Sequence, residues 1–314
     1  MVKCEVINRG LKDFFDKGLF KGEVRFEEPM SAHTSLRIGG PAEIMAFPEE
    51  PMSLKNIVIA AKREQVPVFI FGGGTNLLVS DEGIGGIVIA LKTFNKIEFT
   101  RESDDKKAVL YVGAGAPLAK LISFAQKNGC RGIEALAGIP GCWGGAVFMN
   151  AGSFGVEVKD VLVSVALMDI NGEIRILKKD QLNFSYRSSS IPESSIILSA
   201  NVSLSRDSSD DILKRIKEFL NRKRASQPLL EPSAGCVFKN PPGEAAGRLI
   251  EAAGCKEMRI GDAEVSAVHA NYFINKGKAT CTDFIALMEK VKERVKEHSG
   301  LVLEPEIKIV GKGI

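Results

Sequence analysis

Apolar residues recur along this chain in two periods, and the switches between them divide it into elements. Leu11, Phe14, Phe15, Leu19 and Phe20 fall at helical spacing and predict an amphipathic helical leader over residues 1–30. A helix is expected from Ser53, its N-cap, to about Glu64, with Pro67 marking the exit. The run Val68–Phe71 reads as a buried strand that leads directly into Gly72-Gly-Gly-Thr-Asn76. Strands are expected at 87–91, 96–100 and 109–112. Residues 117–128 read as a helix, with proline in its first turn and Gly129 at its end. Strands at 161–169 and 173–177 flank Asn171-Gly172, the strongest short hairpin signal. A second α/β set is expected from a strand at 196–204 onward. It continues with a charged helix at 209–225, helices at 243–253 and 282–297, the latter closed by Gly300, and a last strand at 303–310. This order suggests three segments: a leader at 1–30, a domain at 31–202 and a C-terminal domain at 203–314.

Composition narrows the class. Hydrophobic residues at 45% and charged residues at 26% fit a globular chain that builds a core without metals or disulfides. The net charge of +3 is too small, and the basic residues too dispersed, for a nucleic-acid surface. No apolar run is long enough to span a membrane. The N-terminal MVKCEVINRG lacks the apolar stretch of a signal peptide. Six cysteines (Cys4, Cys130, Cys142, Cys236, Cys255 and Cys281) show no C-x-x-C spacing, and no histidine clusters with them. They predict no metal site and free thiols in a reducing cytoplasm.

Candidate chemistry lies in two glycine-rich segments. The first is Gly72-Gly73-Gly74-Thr75-Asn76-Leu77. The second runs from Gly138-Ile139-Pro140 through Trp143-Gly144-Gly145 to Asn150-Ala-Gly152. Glycine turns let backbone N–H groups approach phosphate oxygens without a Cβ in the way. Neither segment completes G-x-G-x-x-G, and no P-loop pattern occurs, so the usual nucleotide signatures are absent.

Together these segments identify a resemblance. GGGTNLLV at 72–79, GIPGCWGGAVFMNAG at 138–152, FSYRSSS at 184–190, SAGCVFKNP at 233–241 and HANYFIN at 269–275 stand in the order found in UDP-N-acetylenolpyruvoylglucosamine reductases. The resemblance extends from His33 to Lys308. It implies an α+β fold: a two-lobed FAD-binding domain of the vanillyl-alcohol oxidase type with a C-terminal α/β substrate domain. It also implies FAD held by the glycine segments, NADPH as reductant, and UDP-N-acetylglucosamine enolpyruvate as substrate, reduced in peptidoglycan precursor synthesis in the cytoplasm. No nucleic acid, membrane insertion or obligate protein partner is expected.

The resemblance also assigns roles. Arg187 and Glu306 match the family's catalytic arginine and glutamate, and Cys236 stands at the proton donor, where many members carry serine. A thiol, with an ordinary pKa near about 8.5, surrenders a proton far more readily than an alcohol. Tyr186, Asn240 and His269 are expected to touch substrate, and Arg224 and Gln227 to face the diphosphate or solvent. Trp143 is expected to pack on the cofactor or to fill the core. The short span between Arg187 and Cys236 leaves little room for the tyrosine-bearing loop of some relatives, so the shorter subtype is expected. A hydroxy-acid or sugar-lactone oxidase of the same superfamily is one alternative, and a flavin-binding protein that has lost catalysis is the other. Some such oxidases attach FAD through histidine, and no attachment motif surrounds His33, the sole histidine before the second domain.

Overall fold

The computed structural model describes residues 9–16 and 18–314, so Cys4 and the start of the expected leader lie outside the described residues. The chain divides into two compact units. The first comprises the chain up to Phe26, Glu43–Gly73 and Gly86–Leu220; the second comprises Glu27–Ala42, Gly74–Gly85 and Asn221–Ile314.

The first unit contains two sheets on one continuous core. A four-stranded sheet has the order Gly22–Pro29, Pro41–Pro48, Ile84–Ala90, Val68–Phe71, the last two parallel with Val68 opposite Ile87. The other sheet is antiparallel, in the order Ile174–Lys178, Leu162–Met168, Ile196–Arg206, Lys107–Gly113, Ile97–Phe99. Leu54, Ile57, Ile89, Leu110, Leu121, Trp143, Val165 and Val202 belong to the shared core, all buried. The predicted Asn171-Gly172 hairpin forms, with Met168 paired to Ile174 and Gly172 at φ 74. Asp169 secures the turn by accepting from the Asn171 and Glu173 N–H groups, which lower its pKa.

Four expectations are corrected here. Among the described residues the leader is helical over Arg9–Asp16, and Gly22–Pro29 is a strand, since Val24 and Phe26 alternate with charged neighbours. Helix Pro51–Arg63 has Glu50, not Ser53, as its N-cap, three residues earlier than predicted, because Pro51 is pre-set for the first turn. Ser53 is buried within that helix, and its hydroxyl accepts from the Lys21 N–H at 2.9 Å instead of capping. The strand Ile196–Arg206 does not open the second unit. Its first five residues are buried without alternation, as befits a central strand, and it pairs with strands on both sides in the first unit. Finally, Val68–Phe71 is only partly buried, with Val68 exposed.

In the second unit, an antiparallel sheet has the order Ser233–Cys236, Tyr272–Asn275, Ala263–Val265, Arg259–Ile260. Helices Ala246–Ala252 and Cys281–Ser299 add to a core in which the Phe238, Phe273 and Phe284 rings are in contact. Thr280 and Asp283 form a reciprocal capping box at the start of the long helix, and Gly300 closes it at φ 74. The expected last strand shrinks to Lys308–Val310, parallel to Leu77–Val79, because Pro305 has no N–H to extend a ladder.

Candidate functional site

In the first unit the two glycine segments meet. Gly72 and Gly73 follow the strand Val68–Phe71 and are exposed. A Cβ on Gly73 would lie 2.7 Å from the Gly141 Cα, and one on Gly72 would lie 3.0 Å from the Cys142 Sγ. Only glycine permits this approach of main chain to main chain. Gly138, Pro140 and Gly145 are also exposed, and a Cβ on Gly145 would meet nothing nearer than Cys142 Sγ at 3.8 Å. The first unit therefore presents a surface almost free of side chains, which suits close approach by a flat ring or a pyrophosphate.

Not every expected ligand is available there. Gly144 is buried with its N–H on the Ala114 carbonyl at 2.7 Å, and a Cβ would strike the Ala114 Cβ. The Trp143 N–H bonds to Ala116 and the Ile139 N–H to Leu136. Trp143 fills the core completely, and its indole N–H, alone among described buried side-chain donors, finds no acceptor. Burial raises the pKa of Cys142, next to the glycines, so it stays a thiol.

Arg187 projects from a short hairpin, Phe184–Ser185 paired with Ser188–Ser189. The two-residue turn between them places Arg187 at φ 55, a left-handed conformation that costs a residue with a Cβ. Its guanidinium lies 4.9 Å from the Tyr186 ring centroid, and Tyr186 is exposed. Two bonds fasten the hairpin to the glycine segment. Ser189 Oγ donates to the Phe148 carbonyl at 2.7 Å, and Asn150 Nδ2 donates to the Ser185 carbonyl at 3.0 Å. Gly152 borders the same place, since a Cβ there would lie 3.4 Å from Arg187 Nη1.

Cys236 and Glu306 come together in the second unit. The strand Ser233–Cys236 bulges before Cys236, where Gly235 takes φ 77, so the side chain is re-aimed relative to the ladder. The Glu306 N–H then donates to the Val237 carbonyl at 2.7 Å, which puts Glu306 on the segment beside Cys236. Two asparagines fix this arrangement. Buried Asn271 grips both the N–H and the carbonyl of Phe238, at 2.9 and 2.8 Å. Asn76 Nδ2 donates to the Glu306 carbonyl at 3.1 Å, while Asn76's own carbonyl accepts from the Lys308 N–H. Thr75 and Leu77 flank Asn76 on the same stretch, and the Gly74 carbonyl accepts from Ser35. The role of Asn271 carries no sequence signal, since a buried asparagine shows no pattern in sequence.

Two further expected substrate contacts are in the second unit. Asn240 is exposed, and its Oδ1 accepts from the Ala246 N–H at the start of helix Ala246–Ala252. His269 is half-buried, and its Nδ1 accepts from the Asn271 N–H at 3.2 Å. Burial lowers its pKa, so the ring is neutral with its proton on Nε2, which makes it a hydrogen-bond donor rather than a cation. Arg224 is exposed. Among the described residues, no group of His, Cys, Asp or Glu is placed to hold a metal, and no helix is long and apolar enough to cross a membrane.

Comparison with known proteins accounts for both units. A family profile for an FAD binding domain matches residues 42–178, and one for the C-terminal domain of UDP-N-acetylenolpyruvoylglucosamine reductase matches residues 227–310. The UDP-N-acetylenolpyruvoylglucosamine reductase of Trichlorobacter lovleyi is 43% identical over 294 residues, covering 94% of this chain and 95% of that protein. That of Caldanaerobacter subterraneus is 42% identical over 304 residues, covering 96% and 98%. The crystal structure of the enzyme from Thermus caldophilus superposes with a TM-score of 0.78 at 33% identity, over 92% of this chain and 98% of that one. The α+β architecture and the match along almost the whole length leave one assignment: the chain belongs to the UDP-N-acetylenolpyruvoylglucosamine reductases, a family of FAD-dependent oxidoreductases.

Proposed function

We propose that the protein reduces the enolpyruvyl ether of UDP-N-acetylglucosamine enolpyruvate to the lactyl ether of UDP-N-acetylmuramate, with NADPH as reductant, in the cytoplasm. This reading is supported by the Glu306 N–H donating to the Val237 carbonyl at 2.7 Å, which brings the backbone of Glu306 to the residue after Cys236. FAD, when bound and reduced by NADPH, supplies a hydride from N5 to one alkene carbon.

The chain's own groups do the rest. Gly72, Gly73, Gly138, Pro140 and Gly145 give the cofactor close access to main chain, with Gly74, Thr75, Asn76 and Leu77 carrying the first segment onward and Ile139 the second. Arg187 neutralises the enolpyruvyl carboxylate, on which negative charge grows as the hydride arrives. Glu306 orders and polarises the groups around that carboxylate. Cys236 completes the reduction: its S–H bond breaks, a C–H bond forms at the neighbouring alkene carbon, and the thiolate regains a proton from solvent. Tyr186, Asn240 and neutral His269 orient the UDP-sugar, His269 by donating from Nε2 to a ligand oxygen. The five described cysteines are all free thiols, which suits a reducing compartment.

Anaerobic half-reactions test this assignment. Cys236→Ala should leave reduction by NADPH close to wild type and stop reoxidation by the UDP-sugar; equal slowing of both halves removes Cys236 as the proton donor. Rapid reoxidation by air without the sugar would instead mark an oxidase.

A further inference from the structure

We propose that Asn150 is the positioning residue of Arg187 and not a ligand of the cofactor. This corrects the role expected from its place in the second glycine segment, and it rests on the reading of Arg187 as catalytic.

Asn150 is wholly buried, with 0% of its surface exposed, so its amide faces protein rather than solvent. That amide is committed on every side. Nδ2 donates to the Ser185 carbonyl and to Glu157 Oε2, both at 3.0 Å, and Oδ1 accepts from the Lys159 N–H at 3.0 Å. Ser185 lies two residues before Arg187, at the start of the turn that carries it. Glu157 is itself held, by the Lys159 ammonium and by a capping box with Asp160. A Cβ on Gly152 would lie 2.8 Å from Glu157 Cγ and 3.4 Å from Arg187 Nη1, so both side chains flank that glycine. The backbone agrees with this role. Asn150 takes φ 44, which asparagine tolerates better than other residues with a Cβ, and it comes one residue after Met149 caps the helix Trp143–Phe148 at its C-terminal end. One side chain thus joins the end of the glycine segment to the base of a left-handed turn. Without it, Ser189 Oγ on the Phe148 carbonyl still ties the hairpin to that helix, but Ser185 at the base of the turn loses this support. A guanidinium displaced by about 1 Å loses on the order of a hundredfold in rate, since charge stabilisation depends on fixed geometry.

The test separates positioning from cofactor binding. Asn150→Gly keeps the left-handed backbone and removes the amide. Asn150→Asp, the second variant, keeps shape and acceptor and loses both donors. Apoprotein of each is titrated with FAD, and reduced holoenzyme is reoxidised by UDP-N-acetylglucosamine enolpyruvate in single turnovers. FAD affinity should stay within about twofold of wild type, while reoxidation slows by about ten- to a hundredfold. Combined with Arg187→Ala, Asn150→Gly should add no further slowing, because its effect passes through the arginine. A tenfold loss of FAD affinity, unchanged reoxidation in both variants, or full additivity with Arg187→Ala overturns the proposal. If Arg187→Ala alone reoxidises at the wild-type rate, the catalytic reading of Arg187 fails as well, and that variant identifies the cause.

Discussion

Replacing Arg187 in two ways separates its chemistry from the strain of the turn that presents it. Arg187→Ala and Arg187→Gly both delete the guanidinium, its stacking on Tyr186 at 4.9 Å and its contact beside Gly152. They differ in one respect: alanine keeps a Cβ at φ 55 and glycine does not. A left-handed residue with a Cβ costs roughly 1–2 kcal/mol. Glycine gives back about 0.5–1 kcal/mol of that through the greater freedom of its unfolded chain. The glycine variant should therefore be the more stable by about 1 kcal/mol, which for a unit of this size raises Tm by roughly 2–4 °C. Both should fail to reoxidise with the UDP-sugar. Thermal unfolding followed by circular dichroism at saturating FAD measures the difference with bound-cofactor effects held equal. If the alanine variant melts at or above the glycine variant, the turn stores no strain at 187, and the cost assigned to this left-handed conformation is refuted.

Other perturbations read the rest of the site. Gly145→Ala should leave stability within about 0.5 kcal/mol of wild type yet lower flavin retention on gel filtration, since its Cβ would enter open space over the glycine face; Gly73→Ala, whose Cβ would meet the Gly141 Cα at 2.7 Å, should lower both stability and retention. Equal retention of flavin by wild type and Gly145→Ala would remove that face as the cofactor's seat. Asn271→Ala orphans two buried backbone groups of Phe238 and should cost about 1–3 kcal/mol for each, visible as a lower urea midpoint; an unchanged midpoint contradicts the bonding described. His269 has a folded pKa lowered by burial from 6.5, so the unfolded chain binds the proton first as pH falls. Its contribution is intact above pH 6.5 and is lost as pH falls below that toward the folded pKa, so stability rises with pH in that window. His269→Gln should flatten the drop in urea midpoint between neutral and acid pH, and an equal drop in wild type and variant would show that the ring does not titrate this way.

What the sequence disclosed and what it withheld follow from the range of the forces involved. Features set by one or two adjacent residues were legible: the Asn171-Gly172 hairpin, the helix ended by Gly300, and the glycine segments whose missing Cβ atoms mark close approach. Membership of a sheet was not, because the buried run at the start of Ile196–Arg206 looks the same whether it opens one sheet or completes another. Side-chain commitments were the least visible. Asn76 and Asn150 stand among glycines and so resemble donors awaiting a phosphate, yet their amides bind the Glu306 and Ser185 carbonyls, partners 230 and 35 residues away along the chain. The same logic covers Asn271 on Phe238, 33 residues distant. A catalytic side chain must present its reactive end to the ligand, so its own backbone has to be held from behind. A primary amide suits that task because it donates and accepts without adding charge to a site whose charges are already assigned to chemistry. In each unit the asparagines near the glycine segments and beside the strand Ser233–Cys236 therefore hold backbone in place, and a sequence pattern records their presence but not what they hold.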